Sequence, residues 1–324
     1  MAGGQERALR RRIRSVEATK KITRAMELIA ASQIPRARAR IAGSAPYVEG
    51  IERVLATTAA EASGASRLLG DGAEARSVLV LAIVADRGLA GGYNSSVLRQ
   101  TERLIVAGEA EGREYRLVTI GRKAIGFFRF RGRSVDRPFL QMTNRPTFED
   151  ARQVAAELTG PFLAGEVDLV QLVSTRYRSA GVQVVETRQV LPIPEVDEER
   201  EEGSGGAEGA AGAEGAGGFF DFEPEPEELL RLLVPRYAEA VVYRALLEAS
   251  VSEHTARQRA MAAATDNAEE LITTYRRAMN RARQDAITTE ILEIVSGAEA
   301  LRANSEAADE RDDFLRNDQQ EQSA

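Results

Sequence analysis

The 324-residue chain contains no cysteine, no tryptophan and a single histidine. Without cysteine, the chain can form neither disulfides nor thiolate metal sites, and it has no cysteine nucleophile. The single histidine, His254, cannot build a histidine metal cluster, so we expect no metal and no cofactor. The longest apolar run, VLVLAIVA at residues 78–85, is far shorter than the ~20 residues that span a membrane. Its length is typical of a buried strand.

Charge is distributed unevenly along a chain whose net charge is −7. Residues 5–42 are strongly basic, whereas residues 195–228 are strongly acidic. A solvated surface would explain either run. A basic helix would equally suit an acidic partner, and the charge pattern alone leaves both interpretations open.

Long helical patterns occupy both ends of the chain, at residues 5–60 and 225–301. Each is much longer than the ~11–12-residue helix average of globular proteins. Long helices in water obtain most of their stability from packing, so the two are expected to pair. The pairing should be antiparallel, because the chain enters and leaves the same middle region. Pro35 and Pro235 should disturb the helices locally, since proline removes a backbone donor and clashes with the preceding turn.

Strand and helix patterns alternate in the middle of the chain, which is typical of a small α/β domain with a largely parallel sheet. The predicted strands are residues 77–85, 115–120, 167–174 and 182–191, and the predicted helices are residues 95–110, 123–130 and 147–163. A hairpin-length loop separates the last two strands. The expected fold class is therefore a Rossmann-like α/β domain plus a long antiparallel coiled coil.

Five segments follow from these patterns. Residues 195–218 are rich in glycine and charge, so they offer little apolar surface to offset the entropy of ordering. The segments are an N-terminal coiled-coil helix (1–65), the central α/β domain (75–194), an acidic Gly/Ala-rich flexible insertion (195–218), a C-terminal coiled-coil helix (219–301) and an acidic, disordered tail (302–324).

The glycine-rich motif DRGLAGGYN at residues 86–94 joins the first strand to a helix. Such a loop could bind phosphate through backbone amides, but it matches neither the P-loop nor the GxGxxG pattern. A turn whose glycines allow close packing or unusual dihedrals is the favoured interpretation. His254 lies in a charged helical stretch, where an exposed or inter-helix position is favoured over a catalytic role.

Three stretches resemble the γ-subunit family of the rotary F-type ATP synthases, in that family's order and spacing. They are RRIRSVEATKKITRAMELIAAS (11–32), DRGLAGGYNSS (86–96) and residues 252–301, which include MAAATDNAEELI and RARQDAITTEILEIVSGAEAL. The resemblance implies a non-catalytic central-stalk rotor of a proton-translocating enzyme. In the family, terminal helices form a left-handed coiled coil that couples rotation of the c ring to conformational cycling of the catalytic β subunits.

The resemblance also implies partners and a location. The partners would be the α and β subunits of the catalytic hexamer, the ε subunit and the ring of c subunits, with one copy of this chain per complex. Neither nucleic acid nor nucleotide would bind directly to it. The chain would be a peripheral membrane protein on the cytoplasmic face of the bacterial plasma membrane.

Seven positions of this sequence match functional positions of the family. Four are expected to contact the β subunit: Met26, Arg283, Gln284 and Thr288. Three are expected to contact the c ring: Phe220, Phe222 and Glu223. The family's usual tyrosines in the second set are phenylalanines here, so aromatic character is retained while the phenol hydroxyl is lost.

Two other function classes compete with a rotor subunit. A free-standing α/β enzyme with helical extensions predicts a cofactor loop and a catalytic constellation. A basic coiled-coil nucleic-acid binder predicts a basic domain and salt-sensitive binding. Purification of the native complex discriminates between them, because co-purification with the synthase subunits fits only the rotor.

Overall fold

A computed structural model describes residues 2–61, 67–194 and 225–321. The chain divides into two compact units, one formed by Met1–Arg24 with Ala263–Ala324 and the other by Ala25–Ala262. The first and last helices each contribute to both units. The elements in chain order are α1 (Ala2–Glu61), β1 (Ser77–Ile83), α2 (Tyr93–Ala110), β2 (Glu114–Ile120), α3 (Arg122–Phe130), β3 (Arg137–Phe139), α4 (Phe148–Leu163), β4 (Leu169–Tyr177), β5 (Gln183–Leu191) and α5 (Pro226–Glu321).

The five strands form one sheet in the order β3-β2-β1-β4-β5. Every neighbouring pair is parallel except β4 and β5, which form the antiparallel hairpin expected from the short loop between them. The predicted largely parallel α/β sheet is therefore confirmed. The sequence pattern missed β3, whose three residues include Pro138 at the edge of the sheet. Proline is tolerated at a sheet edge, but it weakens the strand signal.

Alternate residues of β1 supply the two faces of the sheet. Leu79, Leu81 and Ile83 belong to a core that includes buried residues of α4 and α5. Val78 and Val80 belong to a second core that includes buried residues of α2 and α3. Because both faces are covered, the strand reads as a continuous apolar run, as buried parallel strands do.

The unit Ala25–Ala262 also contains the later part of α1. Leu55 of α1 joins the same core as α4 and α5. The Tyr47 ring packs edge-on against Phe148 at 5.8 Å between centroids, and Phe148 packs against Tyr243 of α5 at 5.5 Å. Edge-to-face aromatic pairs contribute about 0.5–1.5 kcal/mol beyond the apolar area they bury. These contacts fasten both long helices to the face of the sheet that α4 covers.

The unit formed by Met1–Arg24 and Ala263–Ala324 is an antiparallel helix pair. Successive residues of α1 contact residues of α5 that come progressively earlier in the sequence, so the two helices run in opposite directions. The cross-helix contacts are Glu17–Arg276 (2.9 Å), Lys20–Glu269 (3.1 Å) and Thr23–Thr265 (2.8 Å). Small and apolar side chains are buried in this unit, namely Ile13, Ala268, Ile272 and Ala282. The predicted antiparallel pairing of the two ends is confirmed.

Neither long helix is interrupted at its prolines, so that expectation was wrong. α1 remains helical through Pro35 and Pro46, and α5 remains helical through Pro235. A proline inside a helix costs about 3 kcal/mol. A buried residue lies near each of the three prolines: Ala37 after Pro35, Val48 after Pro46 and Val234 before Pro235. Packing of the flanking turns offsets the lost hydrogen bond.

Helix α5 also continues past the predicted end at Leu301, to Glu321. Residues 302–321 contain neither glycine nor proline and are rich in good helix formers, which gives a physical reason for the longer helix. The predicted flexible insertion at 195–218 and the predicted c-ring residues Phe220, Phe222 and Glu223 lie outside the described residues. Among the described helices, none combines the length and apolar character needed to cross a membrane.

Candidate functional site

Three of the predicted β-contact residues lie close together on α5. Arg283, Gln284 and Thr288 all have exposed side chains. The Thr288 hydroxyl donates to the Gln284 carbonyl oxygen at 3.0 Å, a local bond within the helix. The side chains of Arg283 and Gln284 therefore project where a second protein could reach them. Met26, the fourth residue, is half-buried on α1 in the other compact unit.

The glycine-rich motif packs against α5. Ala90 and Tyr93 form a small apolar cluster with Ala85, and Ala256 of α5 packs against it. Gly91 has a φ of +55°, a conformation that side chains disfavour. A Cβ atom added to Gly91 would lie 3.7 Å from the Cβ of Ala260, so loop and helix are in ordinary contact there. The close-packing interpretation of the motif is therefore confirmed.

Asp86 ties this motif to the neighbouring loops. Its Oδ1 accepts a hydrogen bond from the backbone N–H of Arg122 at 3.1 Å. Its Oδ2 accepts from the Gln141 N–H at 2.9 Å and from the Thr143 hydroxyl at 3.3 Å. One carboxylate thus joins the loops that follow β1, β2 and β3. We call residues 86–92 together with 141–144 the socket.

Gly121 allows the strand ends beneath the socket to approach closely. Its φ is +98°, and an added Cβ would lie 2.0 Å from the Val84 carbonyl oxygen. Any side chain would collide with the backbone at this point. Glycine is therefore required for β1 and β2 to present their ends side by side.

A polar segment of α5 enters the socket. The Ser250 hydroxyl donates to the Asn144 carbonyl oxygen at 3.4 Å, and the same oxygen lies 3.5 Å from His254 Nε2. His254 is buried against this loop, so the exposed position that the sequence allowed was wrong, whereas the inter-helix alternative is not contradicted. Burial lowers the pKa of His254, while Glu253 opposes that shift.

The Arg257 guanidinium links the helix to the glycine-rich motif. Its Nη2 donates to Glu253 Oε1 at 2.6 Å and lies 3.4 Å from the Gly88 carbonyl oxygen. Only 10% of the Arg257 side chain and 4% of the Glu253 side chain are exposed. Burial raises the pKa of the Tyr93 phenol well above its ordinary value, and the nearby Glu253 carboxylate raises it further. Tyr93 is therefore neutral here, and Arg257 balances the charge of Glu253.

The arrangement positions a helix rather than a reacting group. Within the described residues, no group of three or more His, Asp or Glu side chains is placed to hold a metal ion. Central-stalk proteins are a class defined by two long antiparallel terminal helices and a small α/β domain. This chain has both features, and one of its terminal helices packs against the α/β domain.

Comparison with known proteins identifies the family. The ATP synthase family model matches residues 5–301. The ATP synthase gamma chain of Frankia casuarinae is 47% identical over 308 residues, which cover 93% of this chain and 99% of the relative. That of Acidothermus cellulolyticus is 45% identical over 305 residues, covering 93% and 98%. The chain belongs to the ATP synthase gamma-chain family, whose members are non-catalytic stalk subunits.

A solved structure agrees with the fold. The rotational state 3 structure of the Euglena gracilis mitochondrial ATP synthase, described as OSCP/F1/c-ring, contains a chain with a TM-score of 0.64. It is 20% identical, and the match covers 94% of this chain and 96% of that one. Likeness at this identity speaks for the fold alone.

Proposed function

We propose that this chain is the central rotor of a proton-translocating F-type ATP synthase. It turns with the c ring and forces the catalytic β subunits through their conformational cycle, so proton flow drives ATP synthesis. The observation that carries the proposal is the antiparallel helix pair, fastened by Glu17–Arg276 and Lys20–Glu269, in a member of the gamma-chain family. A paired helix resists bending better than one helix alone, as transmission of torque requires.

The proposed partners are the α and β subunits, the ε subunit and the c ring, with one copy of this chain per complex. Charge supports an acidic partner for α1. Its exposed arginines include Arg7, Arg11, Arg12 and Arg14. An acidic surface on β would complement them, and Met26 lies further along the same helix. On α5, the exposed Arg283, Gln284 and Thr288 would bind β through side-chain hydrogen bonds.

A second set of residues would contact the membrane ring. Phe220, Phe222 and Glu223 are proposed to contact the c subunits, which would place the chain at the cytoplasmic face of the bacterial plasma membrane as a peripheral subunit. The aromatic residues would supply apolar contact area, and Glu223 would supply a charge for pairing.

The proposal is tested by replacing the native gamma chain. Two strains are compared, both with an affinity tag on the β subunit and both without the native gamma chain. One expresses this chain, and the other expresses no gamma chain. We expect the tagged complex to contain α, β, ε and one copy of this chain, and vesicles to pump protons on addition of ATP. A complex that lacks the chain, or vesicles that pump equally without it, would contradict the proposal.

A further inference from the structure

We propose that Arg257 and Glu253 are positioning residues that fix the rotational register of α5 in the socket, so that torque passes between the α/β domain and the helix without slippage. The inference rests on the proposed rotor function and deepens it. Neither residue contacts a substrate or an ion in this account. They act by holding one face of α5 toward residues 86–92.

The contact surface between α5 and the glycine-rich motif is made of small side chains. Ala256 packs against Ala90 and Tyr93, and Ala260 faces Gly91. Small residues allow close approach, but they interlock poorly, so this contact resists rotation of the helix about its own axis less than the large core side chains of its earlier turns do. Apolar packing at this contact is also non-directional.

Directional contacts come from the polar residues of the same helix segment. Arg257 lies 3.4 Å from the Gly88 carbonyl oxygen on one loop, and His254 lies 3.5 Å from the Asn144 carbonyl oxygen on another. Hydrogen bonds weaken steeply as their angle departs from linear, so each contact favours one orientation of the helix. Asp86 holds the two loops together, which makes them a single reference frame.

Glu253 sets the direction of the arginine. Its Oε1 accepts at 2.6 Å from the same Nη2 that faces Gly88. Its Oε2 is buried with no hydrogen-bond partner in the described part of the chain, as is the Tyr93 hydroxyl. A buried polar atom without a hydrogen bond costs free energy. These two groups therefore do not serve stability, which apolar side chains at the same positions would serve better. Buried ion pairs add little net stability compared with apolar isosteres, and a role in specifying one arrangement is their better-supported use.

The test removes the pair without leaving a lone charge. A single Arg257→Met change would strand a buried carboxylate and could prevent folding. The double variant Glu253→Met/Arg257→Met keeps similar volume and removes both charges. The matched control is Arg244→Met/Glu248→Met, a pair on the same helix with the same four-residue spacing. Protons pumped per ATP hydrolysed and the thermal unfolding temperature are measured for each variant in the assembled complex.

We expect the Glu253/Arg257 double variant to assemble and to hydrolyse ATP, while protons pumped per ATP fall at least about twofold, the lower end of changes in coupling networks. The control should pump in proportion to its hydrolysis. Unchanged pumping per ATP in the test variant would overturn the inference, and so would an equal fall in the control.

A covalent link supplies the decisive second arm. Gly91 and Ala260 would bring their Cβ atoms to 3.7 Å, within the range of disulfides, and the native chain has no cysteine to compete. Adding Gly91→Cys/Ala260→Cys to the double variant should restore pumping per ATP under oxidising conditions and lose it again on reduction. A formed disulfide that fails to restore pumping would contradict a register role. Failure of the wild-type chain to support pumping would instead refute the rotor function itself.

Discussion

The Thr23 and Thr265 hydroxyl oxygens lie 2.8 Å apart, although 242 positions separate the two residues in sequence. Both side chains are buried between the antiparallel helices. The Thr23 hydroxyl also lies within hydrogen-bond distance, 3.1 Å, of the Lys20 carbonyl oxygen. A polar contact at this point favours one register of the helix pair, because any slip would leave buried hydroxyls apart.

Replacement of these threonines by valine tests that register. Thr23→Val or Thr265→Val alone should lower the free energy of unfolding by about 0.5–1.5 kcal/mol, since each removes the hydrogen bond between these two hydroxyls. The Thr23→Val/Thr265→Val variant should lose less than the sum of the two single changes. Denaturant unfolding of all four proteins forms a double-mutant cycle. Strict additivity would show that the contact contributes no coupling.

Asp168 provides a pH-dependent test of the α/β domain. Its carboxylate accepts hydrogen bonds from the N–H of Ser77 at 3.0 Å and of Arg76 at 3.2 Å. The Ser77 bond leads the lowering of the pKa of Asp168, and Arg67 contributes. Because the folded pKa lies below the unfolded one, the stabilisation is present above the unfolded pKa of about 3.9 and lost as pH falls through the folded pKa.

We therefore expect Asp168→Asn to unfold at lower temperature than the wild type at pH 7, with a difference that shrinks under acidic conditions. The effect should be modest, since 43% of the Asp168 side chain is exposed. Thermal unfolding across pH 3 to 7 measures it. A difference that stays constant across this range would mean that charge at Asp168 is not its cause.

Arg283 and Gln284 should affect turnover without affecting the fold. Both side chains are exposed, so alanine at either position removes no internal packing. Lost hydrogen bonds to β, of about 0.5–3 kcal/mol each, should impair cooperative ATP hydrolysis by the complex. Arg99→Ala, at an exposed arginine on α2, is the control. Wild-type kinetics in both α5 variants would remove these residues from the proposed β contact.

Met26→Lys should uncouple the enzyme rather than inactivate it. A new cation on an already basic helix would bind the proposed acidic surface of β too tightly at one rotor angle. We expect proton pumping to fall more than ATP hydrolysis in the same vesicles, whereas Met26→Leu should preserve both. If pumping and hydrolysis fall in strict proportion, Met26 is not at the coupling contact.

The sequence predicted the helices and strands far better than the contacts that join them. The apolar run at residues 78–85 identifies β1 because both of its faces are covered. The family resemblance alone suggests Arg283 and Gln284 as β-contact residues, a prediction that no local pattern would make. The socket could not be predicted, because Gly88 and Arg257 are distant in sequence and meet only when α5 packs against the loop that follows β1. The only hint in the sequence was SEHTAR, a polar stretch of α5 that follows the apolar turns of its first part.

The prolines gave an error of a different kind, because the sequence predicted disturbed helices where the helices are continuous. Pro35, Pro46 and Pro235 are local signals against helix, yet long-range packing on either side overrides them. Propensity counts one residue at a time, whereas a long packed helix distributes the cost of a missing bond over many contacts.

Direct observation of rotation tests the central claim. Phe130 on α3 is 87% exposed, and the chain has no cysteine, so Phe130→Cys provides a unique attachment point for a gold rod. With the αβ hexamer fixed to a surface, the rod should rotate in one direction when ATP is added and stop when ATP is exhausted. Continued ATP hydrolysis by complexes whose rods remain stationary would contradict it.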